Sequence, residues 1–297
     1  MDQYCDLHPE TSQAVFRVRD YDLAATLTSG QVFRWEARDG SWIGVTLGRW
    51  VKLWQRGQKI VAKTAAPQTD WRWLADYLQV AVKLDDMLAT FPDDAPMRAA
   101  VNACRGLRLL RQDPWECLAS FILSSTKQIV QIRQIVAMLC ERYGTPVTVP
   151  AGEPTAFAFP TAERLAGLTE AQLRACKMGF RAPYLLATAR RVAEGRCNLP
   201  GLSRLDLATA RAQLLALPGV GHKIADCVLL FAGGFPTAFP LDVWVLRALR
   251  ELYFRGKRPT FERLKTFSAT HFGPNAGYAQ QYLFHFIRTM HPKNIIT

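Results

Sequence analysis

The chain has 297 residues, of which 49% are hydrophobic and 21% charged, and its formal net charge at pH 7 is +12. This length and hydrophobic content predict a sizeable core in two or three domains and exclude a disordered chain. The absence of any run of about 18 apolar residues excludes a membrane-spanning helix, and seven cysteines without a Cys-x-x-Cys pair favour reduced thiols.

An antiparallel sheet is predicted for the first third of the chain. Apolar and polar residues alternate in several short runs, and Asp39-Gly40 is typical of a hairpin turn. The predicted strands are 31–38, 41–48, 51–55 and 59–63. A helix over residues 70–80 has apolar residues at helical spacing and is expected to pack on the sheet.

From about residue 94 onward the sequence pattern is helical. Helix-start signals of the Asp/Thr cap and first-turn proline type recur along this part. They are Asp113-Pro114, Thr169 with Gln172, Asp206, Pro259-Thr260 and Pro274. The fold class predicted is α+β, with an N-terminal twisted antiparallel sheet domain over 1–108. Two α-helical lobes over 109–297 follow, with the active site in the cleft between them.

Two helical stripes meet at a glycine turn, which predicts a helix-hairpin-helix over about residues 206–232. The turn is Leu217-Pro218-Gly219-Val220-Gly221. Glycine permits positive φ and close backbone approach, and free N–H groups at the start of the second helix suit one phosphate. An ordinary corner between two helices, with glycine at the C-cap, is the alternative for this turn alone.

A lysine and an aspartate follow the turn. Lys223 is nucleophilic only as the neutral amine, which its apolar neighbours Ile224 and Val228 and the helix N-terminus would favour. A solvated lysine bound to phosphate is the alternative. Asp242 follows Pro240 and precedes an apolar helical stripe, so it is a natural N-cap, and its carboxylate can also face a developing sugar cation. Together the two side chains point to an amine nucleophile that acts on DNA.

At this point the chain resembles a known family. Residues 217–227, together with Pro240-Leu241-Asp242-Val243, are similar to the signature of helix-hairpin-helix (HhH-GPD) DNA glycosylases, and specifically of 8-oxoguanine DNA glycosylases. Further stretches that match the family are 29–35, 109–118 and 277–284, so the resemblance covers nearly the whole chain.

The resemblance implies a bifunctional DNA glycosylase/AP lyase of base excision repair. Such an enzyme excises 8-oxoguanine, and we expect formamidopyrimidines as well, after extruding the nucleotide from duplex DNA. Lys223 would attack the anomeric carbon and form an imine that undergoes β-elimination, and Asp242 would stabilise positive charge on the sugar.

The resemblance also implies a base pocket. The carbonyl of Gly30 would accept from the N7–H that 8-oxoguanine has and guanine lacks. Phe284 and Cys227 would sandwich the base, Gln280 would contact its Watson–Crick edge, and the main chain at Pro240 would add a contact. Taken singly, these residues have structural alternatives, such as a turn for Gly30 and core packing for Phe284 and Cys227.

Other positions are implied to bind DNA. The backbone at Gly219, Val220 and Gly221 would anchor the phosphate backbone. Arg181 matches an arginine that contacts the orphaned cytosine, and Phe180 stands where the family usually has a tyrosine wedge.

Besides Phe180, three positions depart from the family pattern. Thr126 and Gln131 replace an asparagine and an arginine that read the orphaned cytosine, and Trp244 replaces a phosphate-contacting histidine. We therefore expect a weaker preference for cytosine opposite the lesion.

The excess positive charge lies entirely in residues 101–297. It fits double-stranded DNA containing oxidised guanine as the partner, although basic proteins also bind acidic membranes or ribosomes. No cofactor is expected beyond a possible structural cation at the hairpin. No cysteine follows Cys227, so no iron–sulfur cluster is expected.

We further expect a monomer without a membrane partner. The first residues show no export signal. The expected location is the cytoplasm and nucleoid of a bacterium, or the nucleus of a eukaryote.

Two rival interpretations remain. A non-catalytic helix-hairpin-helix DNA-binding protein would explain the charge and the hairpin, but it gives no reason for Lys223, Asp242 and Gly30 together. The second interpretation is a glycosylase that excises another lesion, although enzymes for alkylated bases usually lack a lysine at the position of Lys223.

Overall fold

An antiparallel sheet forms the N-terminal part, in a computed structural model that describes residues 5–6, 11–124 and 128–290. The strands of this sheet are β1 Cys5–Asp6, β2 Thr11–Arg17, β3 Glu36–Arg38, β4 Ser41–Thr46, β5 Arg49–Arg56 and β6 Lys59–Gln68. Their order across the sheet is β1-β2-β6-β5-β4-β3, with every neighbouring pair antiparallel. The predicted twisted antiparallel sheet is therefore present.

The sheet has one face covered by helices. Helix α1 (Leu23–Thr28) and helix α2 (Arg72–Leu78) bury Leu27 and Leu74 against strand residues such as Phe16. These three side chains are almost completely removed from water. Burial of such large apolar groups stabilises the domain by roughly 1.5–3 kcal/mol each.

The predicted strand over residues 31–38 is correct only for its last three residues. Gln31 is fully buried, and its amide nitrogen donates to the carbonyl oxygens of Thr26, at 2.9 Å, and Arg108, at 2.8 Å. Its side-chain oxygen accepts from Leu110 N–H at 2.8 Å. These bonds hold the segment as an irregular connection. Strand β2 and helix α1 were not predicted.

Helices make up most of the rest of the chain. They are α3 Leu84–Leu88, α4 Ala95–Cys104, α5 Pro114–Ser124, α6 Ile129–Tyr143, α7 Ala162–Ala166, α8 Glu170–Arg174, α9 Ala182–Ala193, α10 Leu207–Leu215, α11 His222–Val228, α12 Val243–Leu252, α13 Phe261–His271 and α14 Ala276–Met290. A small two-stranded sheet of β7 (Pro146–Val147) and β8 (Ala156–Phe157) interrupts them, so the expectation of an all-helical C-terminal part was not fully met.

Side chains cap the helices at most of the predicted helix starts. Asp113 accepts from Glu116 N–H, and Thr169, Asp206 and Thr260 each accept from the backbone three residues later. Pro274 lies in a short 3-10 turn that leads into α14 rather than in the helix itself.

A buried crossover of residues 107–112 joins the sheet to the helices. Leu109 N–H donates to the Tyr278 hydroxyl at 3.1 Å, and the Tyr282 hydroxyl donates to the Leu107 carbonyl at 3.1 Å. Gln112 donates through its backbone to Phe231 and through its side chain to the Gln31 carbonyl. The crossover therefore fixes helix α14 against the connection after α1. The domain boundary between 108 and 109 stays a prediction.

Candidate active site

The hairpin between α10 and α11 requires glycine at one of its two glycine positions. Gly219 has φ of +75°, and a Cβ on it would lie 2.6 Å from Cβ of Tyr184 on α9, so a side chain would force the two segments apart. Gly221 has an ordinary φ of −98°, with open space where its side chain would point. An ion pair of 2.7 Å between Arg211 and Asp226 ties α10 to α11.

Lys223 lies in the first turn of α11. Its Nζ donates to Oγ of Ser124, the last residue of α5, at 2.9 Å and lies 4.8 Å from the centroid of the Phe121 ring. Ser124 Oγ in turn donates to the Phe121 carbonyl at 2.7 Å, which leaves an oxygen lone pair for the lysine. The amine is therefore held at the end of a buried helix.

Asp242 is the N-cap of α12. Its Oδ1 accepts from the backbone N–H of Trp244 at 3.0 Å and of Val245 at 2.8 Å, as the sequence predicts for a cap. Removal from water raises the pKa of this carboxyl, and the two N–H groups and the positive charges of Lys223 and Arg288 oppose that shift. Both cations therefore favour the ionised carboxylate.

Cys227 lies one turn after Lys223 on α11 and is buried. Burial raises the pKa of its thiol to about 12, and the charge of Lys223 opposes the shift. The neutral thiol therefore presents a small polarisable apolar surface next to the lysine and the aspartate.

Gly30 and Phe284 lie next to each other, although they are far apart in the sequence. Gly30 has φ of +81°, and a Cβ on it would lie 3.1 Å from Cε1 of Phe284 and 3.0 Å from Cδ1 of Ile129. The guanidinium of Arg288 lies 5.1 Å from the Phe284 ring centroid. The positive charge of Arg288 also favours the ionised form of the Asp242 carboxyl.

Gln280 lies one helical turn before Phe284 on α14 and is 3% exposed. Its Oε1 is buried and accepts no hydrogen bond from the described residues. Pro240 is buried in the loop before α12. That loop is fixed to the start of α14 by a 2.8 Å hydrogen bond from Gly277 N–H to the Pro236 carbonyl.

Two of the predicted DNA-contacting residues, Phe180 and Arg181, lie in a 3-10 turn over Gly179–Arg181 that leads into α9. Phe180 is 58% exposed, and the guanidinium of Arg181, which is 2% exposed, lies 4.2 Å from its ring centroid. Gly219 of the hairpin packs against Tyr184, which lies on α9. Phe180 thus presents an exposed aromatic ring immediately before the helix that packs on the hairpin.

Two of the three departures from the family pattern fall on described residues. Gln131 Oε1 accepts from Gln128 N–H at 3.1 Å, so this side chain helps to close the first turn of α6. Trp244 contributes a backbone N–H to the Asp242 cap. Thr126 lies outside the described residues. Ser124 and Arg288 were not among the predicted site residues, since no local pattern marks either of them.

Known proteins resemble most of the chain. A family model for the N-terminal domain of 8-oxoguanine DNA glycosylase matches residues 14–118, and one for HhH-GPD superfamily base excision DNA repair proteins matches residues 119–271. A probable N-glycosylase/DNA lyase of Methanothermobacter thermautotrophicus is 30% identical, with 91% of this chain and 95% of the relative covered. The chain belongs to the 8-oxoguanine DNA glycosylase family.

Further relatives agree with this family assignment. The N-glycosylase/DNA lyase OGG1 of Arabidopsis thaliana is 31% identical, with 88% of this chain and 76% of the relative covered. The solved structure of the 8-oxoguanine glycosylase/lyase of Clostridium acetobutylicum, in complex with double-stranded DNA containing cytosine opposite 8-oxoG, has a TM-score of 0.90 at 29% identity. The match covers 97% of this chain and 99% of the chain in that structure.

The predicted family, the α+β fold class and the enzyme class of DNA N-glycosylase/AP lyase are thereby confirmed. The non-catalytic alternative is not favoured. In the part of the chain that the structure describes, no helix is long and apolar enough to cross a membrane. Within that part, too, no group of three His, Cys, Asp or Glu side chains could hold a metal ion, and the cation at the hairpin stays a prediction.

Proposed function

We propose that this member of the 8-oxoguanine DNA glycosylase family excises 8-oxoguanine, and formamidopyrimidines as well, from duplex DNA and then cuts the strand through a lysine imine. The observation that carries the proposal is the continuity of the site. The charges of Lys223 and Arg288 both favour the ionised Asp242 carboxylate, and the Arg288 guanidinium lies over the Phe284 ring, next to Gly30.

The chemistry follows from the two charged groups. As the C1′–N9 bond breaks, its electron pair leaves with the base, and positive charge develops on the sugar. The ionised Asp242 carboxylate stabilises this charge, and the amine of Lys223 forms the new bond to C1′. Loss of the amine protons and opening of the sugar ring give an imine, which makes the C2′ proton acidic. Removal of that proton expels the 3′-phosphate by β-elimination.

The base would occupy the pocket between Cys227 and Phe284. Both side chains are buried and uncharged, and stacking on such surfaces does not depend on hydrogen-bond pattern. The Gly30 carbonyl would then accept from N7–H of the oxidised base, and the unpartnered Gln280 Oε1 would accept from its Watson–Crick edge. Leaving such an acceptor unpaired against guanine costs about 1–3 kcal/mol.

Double-stranded DNA is the partner, and we propose the finer contacts. Gly219, Val220 and Gly221 would bind a backbone phosphate, Phe180 would fill the gap left by the extruded nucleotide, and Arg181 would face the opposite base. The protein would act as a monomer, in the nucleoid of a bacterium or the nucleus of a eukaryote.

Borohydride trapping tests this function directly. A duplex with 8-oxoguanine opposite cytosine is incubated with the native chain, with Lys223→Gln and with Lys265→Gln, a control at an exposed lysine on α13. The native chain and the control are expected to form a covalent adduct, and Lys223→Gln none. No adduct and no base release from the native chain would refute the proposal.

A further inference from the structure

Three side chains share one row on one face of α14, and two of them lie near Gly30. Gln280, Phe284 and Arg288 follow one another at intervals of four residues, so they lie in a row along the helix. Nη1 of Arg288 would be 3.3 Å from a Cβ placed on Gly30, and its guanidinium lies 5.1 Å from the Phe284 ring centroid. The cationic group therefore reaches the same space as the aromatic ring and the glycine.

This guanidinium has hydrogen-bonding capacity left over. Among the described residues, Nη1 of Arg288 is buried and has no hydrogen-bond partner. A buried donor without an acceptor is costly, and more so when it is charged. Burial lowers the pKa of Arg288, and the charge of Asp242 opposes that shift. A ligand with an electron-rich oxygen would satisfy the donor.

We infer that Arg288 is a specificity-determining residue that donates a hydrogen bond to an oxygen of the extruded oxidised purine. This inference rests on the proposed function. Oxidised guanines and their ring-opened forms carry a carbonyl oxygen on the imidazole side that guanine lacks. The departing base also takes the electron pair of the glycosidic bond, so its oxygens become stronger acceptors as the bond breaks. A cation at this position therefore favours the lesion over guanine and favours its departure.

Comparing an 8-oxoguanine duplex with an abasic duplex distinguishes a contact between Arg288 and the base from a general effect of Arg288 on the site. Arg288→Leu removes the donor and the charge, and Arg288→Gln retains a shorter donor. An abasic duplex contains no base, so its cleavage through Lys223 does not need this contact. Arg263→Leu is the matched control, since Arg263 lies over Phe254 in a similar stack but is exposed on α13.

The experiment measures single-turnover base release from an 8-oxoguanine duplex and strand cleavage of the abasic duplex, both at saturating protein. For Arg288→Leu we expect base release to slow by about 10- to 100-fold, as for a lost charge-assisted hydrogen bond, and abasic cleavage to slow by a clearly smaller factor, since only the charge effect on Asp242 is lost there. Arg288→Gln should fall between Leu and native, and Arg263→Leu should match the native rates.

A binding measurement gives an independent readout. In a Lys223→Gln background, the ratio of affinities for 8-oxoguanine and guanine duplexes should decrease when Arg288→Leu is added. Unchanged or faster base release from Arg288→Leu would overturn the inference, as would equal loss of base release and abasic cleavage. No base release from the native chain would instead defeat the proposed function.

Discussion

Replacing Asp242 separates its capping role from its charge. Asp242→Asn retains an oxygen that can accept from Trp244 N–H and Val245 N–H, whereas Asp242→Ala removes the cap altogether. Asparagine and aspartate are similar N-caps, but alanine costs about 0.5–2 kcal/mol. For a chain of this size, 1 kcal/mol corresponds to a shift in Tm of about 2 °C. Asp242→Ala should therefore melt measurably below Asp242→Asn.

Catalysis should respond to the charge instead. A carboxylate at roughly 4 Å from a developing sugar cation, at an effective dielectric of about 20, contributes about 4 kcal/mol. Both variants should thus release 8-oxoguanine about a thousandfold more slowly than the native chain. Single-turnover base release and thermal melting of the same three proteins provide the test. Near-native base release by Asp242→Asn would refute the electrostatic role, and equal destabilisation by both variants would refute the capping role.

The pH dependence follows from the same carboxyl. Burial raises the pKa of Asp242 in the folded protein. Since the ionised form is the active one, base release should fall as the pH drops through a value above the ordinary aspartate range. For stability the sign is opposite: a raised folded-state pKa contributes stability that is fully present below the unfolded pKa and is lost as the pH rises through the folded one.

Three other changes test separate parts of the site. Gly30→Ala places a methyl group about 3 Å from Phe284 and Ile129 at a left-handed φ, which costs roughly 1–2 kcal/mol, so 8-oxoguanine release should be lost while abasic cleavage is retained. Ser124→Ala removes the acceptor of Lys223 Nζ and should slow borohydride trapping about tenfold, with little change in Tm. Gln131 stands where the family has an arginine that reads the orphaned cytosine, but its side chain closes the first turn of α6 instead. Rates of excision opposite the four bases should therefore differ by less than about tenfold, and a steep cytosine preference would contradict this.

Helix caps and turns that depend on neighbouring residues were predicted well from the sequence. The caps at Asp113, Thr169 and Asp206 and the turn at Gly219 depend on residues within a few positions of one another, so their signals survive in the sequence. Lys223 and Asp242 could be singled out for the same reason, because Lys223 follows the hairpin and Asp242 starts the next helix; their catalytic roles stay predictions.

Contacts between distant segments account for what was missed. The hydrogen bond from Lys223 to Ser124 spans 99 residues, and nothing in the sequence near either one marks it. Arg288 sits at the end of an apolar helix, where a basic residue has an ordinary explanation in the helix dipole. The alternation of residues 31–35 predicted a strand, but the side chain of Gln31 points into the protein to hold the crossover.

The position of the Gly30 carbonyl is set by the same helix that supplies the aromatic wall. Gln281 on α14 donates to the Ser29 carbonyl at 2.9 Å, in the peptide unit next to Gly30, while Phe284 contacts Gly30 directly. The crossover adds the Gln112 side chain, which donates to the Gln31 carbonyl at 2.7 Å on the other side of Gly30. Hydrogen bonds therefore hold the residues on both sides of the glycine. Since one misplaced ångström weakens a hydrogen bond steeply, a one-proton difference between bases is best read by a carbonyl fixed in this way before the base arrives.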